Sequence, residues 1–259
     1  MRWFPKQAIV LAALFVGMHA AADGLVVGGW GVVKQVVDGD TLVLEGGLSV
    51  RLVGIQAPKL PLWRKGFEEQ PLAREAKSAL EELTLGQPVR LSYGGLERDR
   101  HGRALAHLYD EDGRWIQGEM LRRGLARVYS FQDNRALVRE ILTIEQEART
   151  ARYGIWDLPF FAVRGAQELE QYLNRFVIVE GRVAAADEVR GRMYLNFDKD
   201  WRTDFTVSVA PGDMRIFRSE GIDLLALTGR RIRVRGWLRE FNGPRIDATH
   251  SEQIESLEP

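Results

Sequence analysis

Two aspartates separated by one glycine occur in Asp38-Gly39-Asp40-Thr41. Arg51 follows, opening Arg51-Leu52-Val53-Gly54-Ile55-Gln56-Ala57-Pro58-Lys59, and a second arginine, Arg103, closes Asp99-Arg100-His101-Gly102-Arg103. These residue types suit chemistry at a phosphodiester. Its transition state gathers negative charge on phosphate oxygens, which bidentate guanidinium groups and a hard divalent cation stabilise. The cation takes oxygen ligands, usually carboxylates, and a general base must activate water. Taken singly, the residues say less. Asp-Gly-Asp is an ordinary turn, Arg51 and Arg103 ordinary solvated arginines, and Lys59 an exposed loop lysine. Their joint placement is what points to a phosphate site. The histidines form no metal cluster by spacing; His101 and His107 read as surface or strand-edge residues.

The elements that must position these groups can be read from periodicity. From Trp30, Val32, Lys34 and Val36 alternate with Val33, Gln35 and Val37, and Asp38 to Thr41 breaks the run. Residues 42–44 and 48–55 continue as strands joined by Gly46-Gly47, which makes a meander. Residues 59–70 are irregular. A helix is expected from about Pro71, with Leu72, Ala76, Ala79, Leu80 and Leu83 on one face and Gly86 ending it. Strands are expected at 89–93 and 103–109 and a helix at 115–123. A longer helix capped by Asp133 or Asn134 should run to about Arg152.

The blocks 36–41, 51–59 and 99–106 resemble the three sequence blocks of the thermonuclease (staphylococcal nuclease) family. Gly124-Leu125-Ala126-Arg127-Val128 and Gly154-Ile155-Trp156 resemble its later landmarks. Five ordered motifs over roughly half the chain are far more specific than one. The resemblance implies a five-stranded OB-type barrel with three helices. It implies Asp40 as a calcium ligand, Arg51 as a phosphate contact and Arg103 as the transition-state arginine. It also implies a second calcium-binding aspartate where this chain has Gln56, and a glutamate general base where it has Lys59. Gln56 offers only a neutral amide oxygen. A protonated lysine has no acceptor and favours no metal beside it. Calcium is therefore the implied cofactor at a site, Asp40, that is poor for it. Glu68 or Glu69, in the irregular stretch, is the alternative base.

Past residue 156 the pattern changes. Residues 159–165 read as a linker and 167–174 as a turn or two of helix. Short strands follow at 176–183, 193–197, 205–209, 230–238 and 245–249, with a short helix at 213–217. Five strands with a helix in that place suggest a second OB-type barrel. In the fourth strand Arg231, Arg233, Arg235, Trp237 and Arg239 share one face. Such a strip suits a single-stranded nucleic-acid groove, with Tyr194, Trp201 and Phe241 as further stacking surface. The competing reading is a solvated strand face offset by neighbouring acids such as Asp198, Asp200 and Asp204.

The expected organisation is a leader at 1–22, a nuclease-like domain at 23–158, a linker or short helix at 159–174, and an OB-like barrel at 175–259. The fold class is mainly β with helices (α+β). Arg2 and Lys6, the apolar run 8–17 and Ala20-Ala21-Ala22 form a secretory leader pattern, so periplasmic or secreted export is expected. No later segment is long and apolar enough to span a membrane. Cysteine is absent, which excludes disulfides and thiolate metal sites. Loss of the leader takes the formal charge from 0 to −2, which rules out a strongly basic nucleic-acid binder and makes any phosphate attraction local. Three functions follow. The first is an exported protein binding single-stranded nucleic acid or nucleotide, with hydrolysis weak or lost. The others are a calcium-dependent endonuclease with a rearranged base, and an envelope protein-interaction module.

Overall fold

The computed structural model describes residues 24–62, 65–167, 169–200 and 203–258. The expected leader and Trp201 lie outside them.

The first β unit grows from a long amphipathic strand. β1 (Val26–Asp38) pairs with β2 (Thr41–Leu44), which pairs with β3 (Ser49–Leu52). After Gly54 the chain leaves the barrel as β4 (Ile55–Gln56). α1 (Ala73–Thr84) follows, then β5 (Pro88–Tyr93), β6 (Ala104–Tyr109) and α2 (Ile116–Arg122). β7 (Arg127–Val128) pairs with β4, and α3 (Val138–Thr150) completes the unit. The barrel closes in the order β1-β2-β3-β6-β5, with β3 and β6 parallel. Its interior is filled by fully buried Leu42, Leu52, Leu80, Met120 and Ile141 among others. Ala76, Ala79, Leu80 and Leu83 of α1 face that core as expected, because they repeat at helical spacing.

Two helix starts differ from expectation. Leu72 precedes α1 with φ 62°, so its side chain leaves the helical stripe and packs near Ile155, Trp156 and Phe161. Asn134 does not cap α3. It is buried, and its Nδ2 donates to the Leu96 carbonyl at 2.8 Å, while the helix starts only after Leu137 at φ 59°. Asn134 lies ahead of the cap position, Leu137, which makes no side-chain cap hydrogen bond.

Short 3-10 turns at Gly154–Asp157 and Pro159–Phe161 lead into the second β unit. Gly124 and Gly154 face each other there: a Cβ on Gly124 would lie 2.1 Å from the Tyr153 carbonyl oxygen, and one on Gly154 2.2 Å from the Gly124 oxygen. Both motif glycines are thus fixed by close backbone approach. The second unit contains β8 (Arg164–Gly165), β9 (Phe176–Arg182), β10 (Ala185–Val189), β11 (Arg192–Asn196) and β12 (Thr206–Val209). Then come α4 (Met214–Ser219), β13 (Arg231–Glu240), β14 (Pro244–Asp247) and β15 (Ile254–Ser256). Strand order is β10-β11-β12-β14-β13-β9-β8, with β15 on the free side of β13. Counting β9 and β10 as one bent strand gives the order of the first unit, and the parallel pair β12/β14 matches β3/β6. β10 went unread in the sequence because Ala-Ala-Asp-Glu-Val carries no apolar alternation and lies largely exposed at an edge.

Candidate functional site

The Asp38–Asp40 turn is held where it is by a missing side chain. A Cβ on Gly39 would lie 2.6 Å from the Ala57 Cβ and 2.7 Å from the Ala76 Cβ. Only glycine lets the turn sit against both α1 and the loop after β4. That docking buries Asp40 completely and sets its Oδ2 2.7 Å from the donating Ala57 N–H. Thr41 Oγ1 donates to Oδ1 at 3.2 Å.

Arg51 stands opposite Thr41 in the β2/β3 register. Its Nη1 lies 2.6 Å from Asp40 Oδ1 and also donates to the Asp40 and Leu52 carbonyls at 3.0 and 3.3 Å. Its Nη2 donates to the Ile55 carbonyl at 2.8 Å. Only 12% of the side chain is exposed. Two of its nitrogens are therefore spent inside the protein, and little of the fork faces outward.

Lys59 completes the cluster. Its Nζ lies 2.7 Å from both Asp40 carboxylate oxygens and 3.2 Å from Asp38 Oδ2. The ammonium's three donors meet three carboxylate oxygens. Two carboxylates and two cations leave the cluster formally neutral. Burial opposes ionisation of Asp40, but Arg51, then Lys59 and the Ala57 N–H, outweigh it and hold the carboxyl well below its ordinary range. Asp38 goes the other way: burial, then the Asp40 charge, push its carboxyl up.

Gln56 has turned from this cluster. Its Oε1 accepts from Arg127 Nε at 3.1 Å and Nη2 at 2.7 Å, while Arg127 Nη1 donates to the Phe176 carbonyl at 3.1 Å. Burial lowers Arg127 to about 10. Arg103 pairs with Asp99, Nε to Oδ2 at 2.7 Å, within its own turn. Asp38 and Arg127 are the two residues whose roles sequence reasoning missed, although both lie inside the quoted motifs. Of the alternative bases, Glu69 is engaged by Arg74 at 2.9 Å, and Glu68 lines a cleft next to Lys59.

These residues do not fit a calcium ion. The oxygens that would bind it already accept from an ammonium, a guanidinium and a backbone N–H, and the Gln56 oxygen accepts from Arg127. Among the described residues no three His, Cys, Asp or Glu side chains form a metal-holding group.

The expected basic strip on β13 is corrected in part. Arg235 is 1% exposed and faces the first unit, where Nη1 and Nη2 donate to Glu145 of α3 at 3.0 and 2.9 Å and Nη2 to Glu255 at 2.6 Å. Arg233 pairs with Glu180 and Glu255, and Arg231 with Glu180. The face was expected to meet solvent or a ligand because β13 alternates cleanly. It meets acids of neighbouring elements instead: Arg235 is buried and Arg233 mostly buried against them, while Arg231 pairs with Glu180 and keeps 58% of its side chain exposed. Arg231, Trp237 and Arg239 remain exposed, with Trp237 Nε1 donating to Tyr129 Oη at 2.9 Å.

A cleft of about 520 Å³ separates the two units at this point. Gln56 and Lys59 lie on its first-unit side, and Phe160, Tyr172, Arg175 and Trp237 on the other.

Comparison with known proteins follows the same division. The family model described as staphylococcal nuclease homologue matches residues 49–158. The chain is 34% identical over 129 residues to an uncharacterized endonuclease of Escherichia coli O157:H7, covering 49% of this chain and 76% of that one. It is 28% identical over 132 residues to a thermonuclease of Staphylococcus hyicus, covering 48% and 73%. It is 30% identical over 138 residues to a probable endonuclease of Leptosphaeria maculans, covering 50% of this chain and less than half, 44%, of that one.

Proposed function

The chain belongs to the staphylococcal nuclease family, and within it we propose an exported member that binds nucleic acid and has lost metal-dependent hydrolysis. The observation that carries the reading is the Lys59 ammonium, 2.7 Å from both oxygens of Asp40. An internal cation there supplies the charge balance that a divalent ion would otherwise give. It provides no Lewis acid and, while protonated, no base. Loss of a base alone costs roughly 10²–10⁴ in rate. The family points to nucleic acid as ligand, and the leader pattern at 1–22 supports export to the periplasm or beyond.

The test is cleavage. Single-stranded DNA and RNA are incubated with the protein and calcium, and no product above the buffer control is expected. Calcium-dependent product removed by Asp40→Asn would sink the reading and favour an active endonuclease, which the relatives' names support. Export is tested by N-terminal sequencing of the protein recovered outside the cytoplasm; a retained Met1 there contradicts a cleaved leader.

A further inference from the structure

Whatever anion this protein binds, the expected contacts are largely committed. Arg51 is folded onto Asp40 and three main-chain carbonyls, and Arg103 is paired with Asp99. The cleft between the units offers a different set of groups. Arg164 lies 4.2 Å from the centroid of the Tyr172 ring and Arg175 6.0 Å from that of Phe160. Among the described residues neither forms a salt bridge to a carboxylate. Only Nη2 of Arg164 is spent on main chain, at the Pro159 and Phe160 carbonyls.

Two large aromatics on the same cleft stay wet. Phe160 is 44% and Trp237 42% exposed. A single exposed aromatic needs no explanation, but two lining one cleft beside guanidinium groups suggest a stacking platform. Trp237 is held by its hydrogen bond to Tyr129 and its edge-on contact with Phe176, 6.5 Å between centroids. Its orientation is thus fixed before any ligand arrives. The volume, about 520 Å³, is that of a ligand pocket. With Lys59 balanced by Asp38 and Asp40, three lining cations (Arg127, Arg164 and Arg175) face two acids, Glu68 and Glu69, and Glu69 is taken by Arg74. A chain with no net positive charge overall thus has a locally positive, aromatic-walled cleft.

We infer that single-stranded nucleic acid sits in this inter-unit cleft, with bases on Trp237 and Phe160 and phosphates on Arg164 and Arg175. This rests on the nucleic-acid reading above and deepens it. All four residues lie beyond residue 158, outside the segment matched by the family model. The ligand site therefore belongs to the pairing of the two units and not to the nuclease-like barrel alone. A strand entering this way would run past Lys59 and Gln56 on the opposite wall.

The test uses the full chain and 5′-fluorescein-labelled dT10 and rU10, followed by fluorescence anisotropy between 50 and 200 mM NaCl. Binding of either oligonucleotide is expected, with deoxy and ribo arms reporting the sugar preference. Trp237→Ala should weaken it about five- to 150-fold, the loss of one stacked base, and Trp237→Phe should recover most of that loss. Arg164→Ala with Arg175→Ala should weaken binding and lower the salt slope by about 1.4, roughly 0.7 per phosphate. Arg114→Ala, an exposed arginine away from the cleft, should change nothing. Independently of any variant, hydrogen exchange of the wild-type chain should slow across residues 159–178 on oligonucleotide addition. Cleft variants that bind like wild type, or protection confined to residues 95–103, overturn the inference and leave nucleic-acid binding standing. No binding by the wild type at 50 mM NaCl overturns the nucleic-acid reading itself.

Discussion

Arg235→Met removes the most deeply buried cation between the two units. The guanidinium is 1% exposed and the Glu145 carboxylate fully buried. The wild-type Glu145 accepts from two Arg235 nitrogens at 3.0 and 2.9 Å, from Arg149 Nη1 at 2.8 Å and from the Val128 N–H at 2.5 Å. Burial disfavours the Arg235 charge, yet Glu145 and Glu255 overcome this and hold its pKa above the ordinary arginine value. Breaking a buried pair on one side costs about 3–5 kcal/mol. Arg149 and the Val128 N–H stay behind to serve Glu145, so the low end, about 3 kcal/mol, is expected. That is a large share of the ~5–15 kcal/mol that ordinary folded proteins have in hand. Urea unfolding at pH 7, followed by circular dichroism, should show the midpoint falling and the second unit loosening from the first. Adding Glu145→Met should not recover the loss, because Arg149 and the buried Val128 N–H then lose their shared acceptor as well. A change below about 0.5 kcal/mol in Arg235→Met, the usual scale of a surface substitution, would refute the argument that this pair joins the units.

Other perturbations follow from the same geometry. Burial lowers His107 and His250 to about 4 each, so the folded state keeps them neutral while the unfolded chain protonates from about 6.5. Their contribution is complete above pH 6.5 and lost as pH falls to 4, by roughly 3 kcal/mol each. Urea midpoints at pH 7 and 5 measure this, and His250→Gln should shrink the difference. The lowered pKa of Asp40 adds stability present above its unfolded value near 3.8 and lost as pH drops further, with the raised Asp38 offsetting part of it. Asp40→Asn leaves Lys59 and Arg51 facing a neutral amide and should cost about 3 kcal/mol in the same urea assay. Lys59→Glu with Gln56→Asp should be less stable than wild type without calcium. Calcium at a hundred times its Kd should then restore about 2.7 kcal/mol in thermal melts.

The barrel was legible because its strands alternate and its turns carry Asp-Gly and Gly-Gly. The cluster was legible as a set of residues but not as an arrangement. Sequence could name Gln56 and Lys59 as substitutions. It could not show that Lys59 reaches back 21 positions to Asp38, or that Gln56 pairs with Arg127, 71 positions away. Such partners depend on the turn at Gly39 and the β4/β7 pairing, which local pattern does not encode. The β13 strip failed for a related reason. Alternation correctly put Arg231, Arg233 and Arg235 on one face, but nothing in the strand says that α3 and β15 bring Glu145 and Glu255 against it.

The position of Lys59 is tested most directly by calorimetric titration of calcium chloride into the full chain at pH 7, with single-stranded DNA cleavage recorded on the same samples. With the ammonium between Asp38 and Asp40, no saturable heat is expected up to ~1 mM calcium, the weak end of protein calcium sites, and no cleavage. Saturable calcium binding with DNA cleavage, both abolished by Asp40→Asn, would contradict the account.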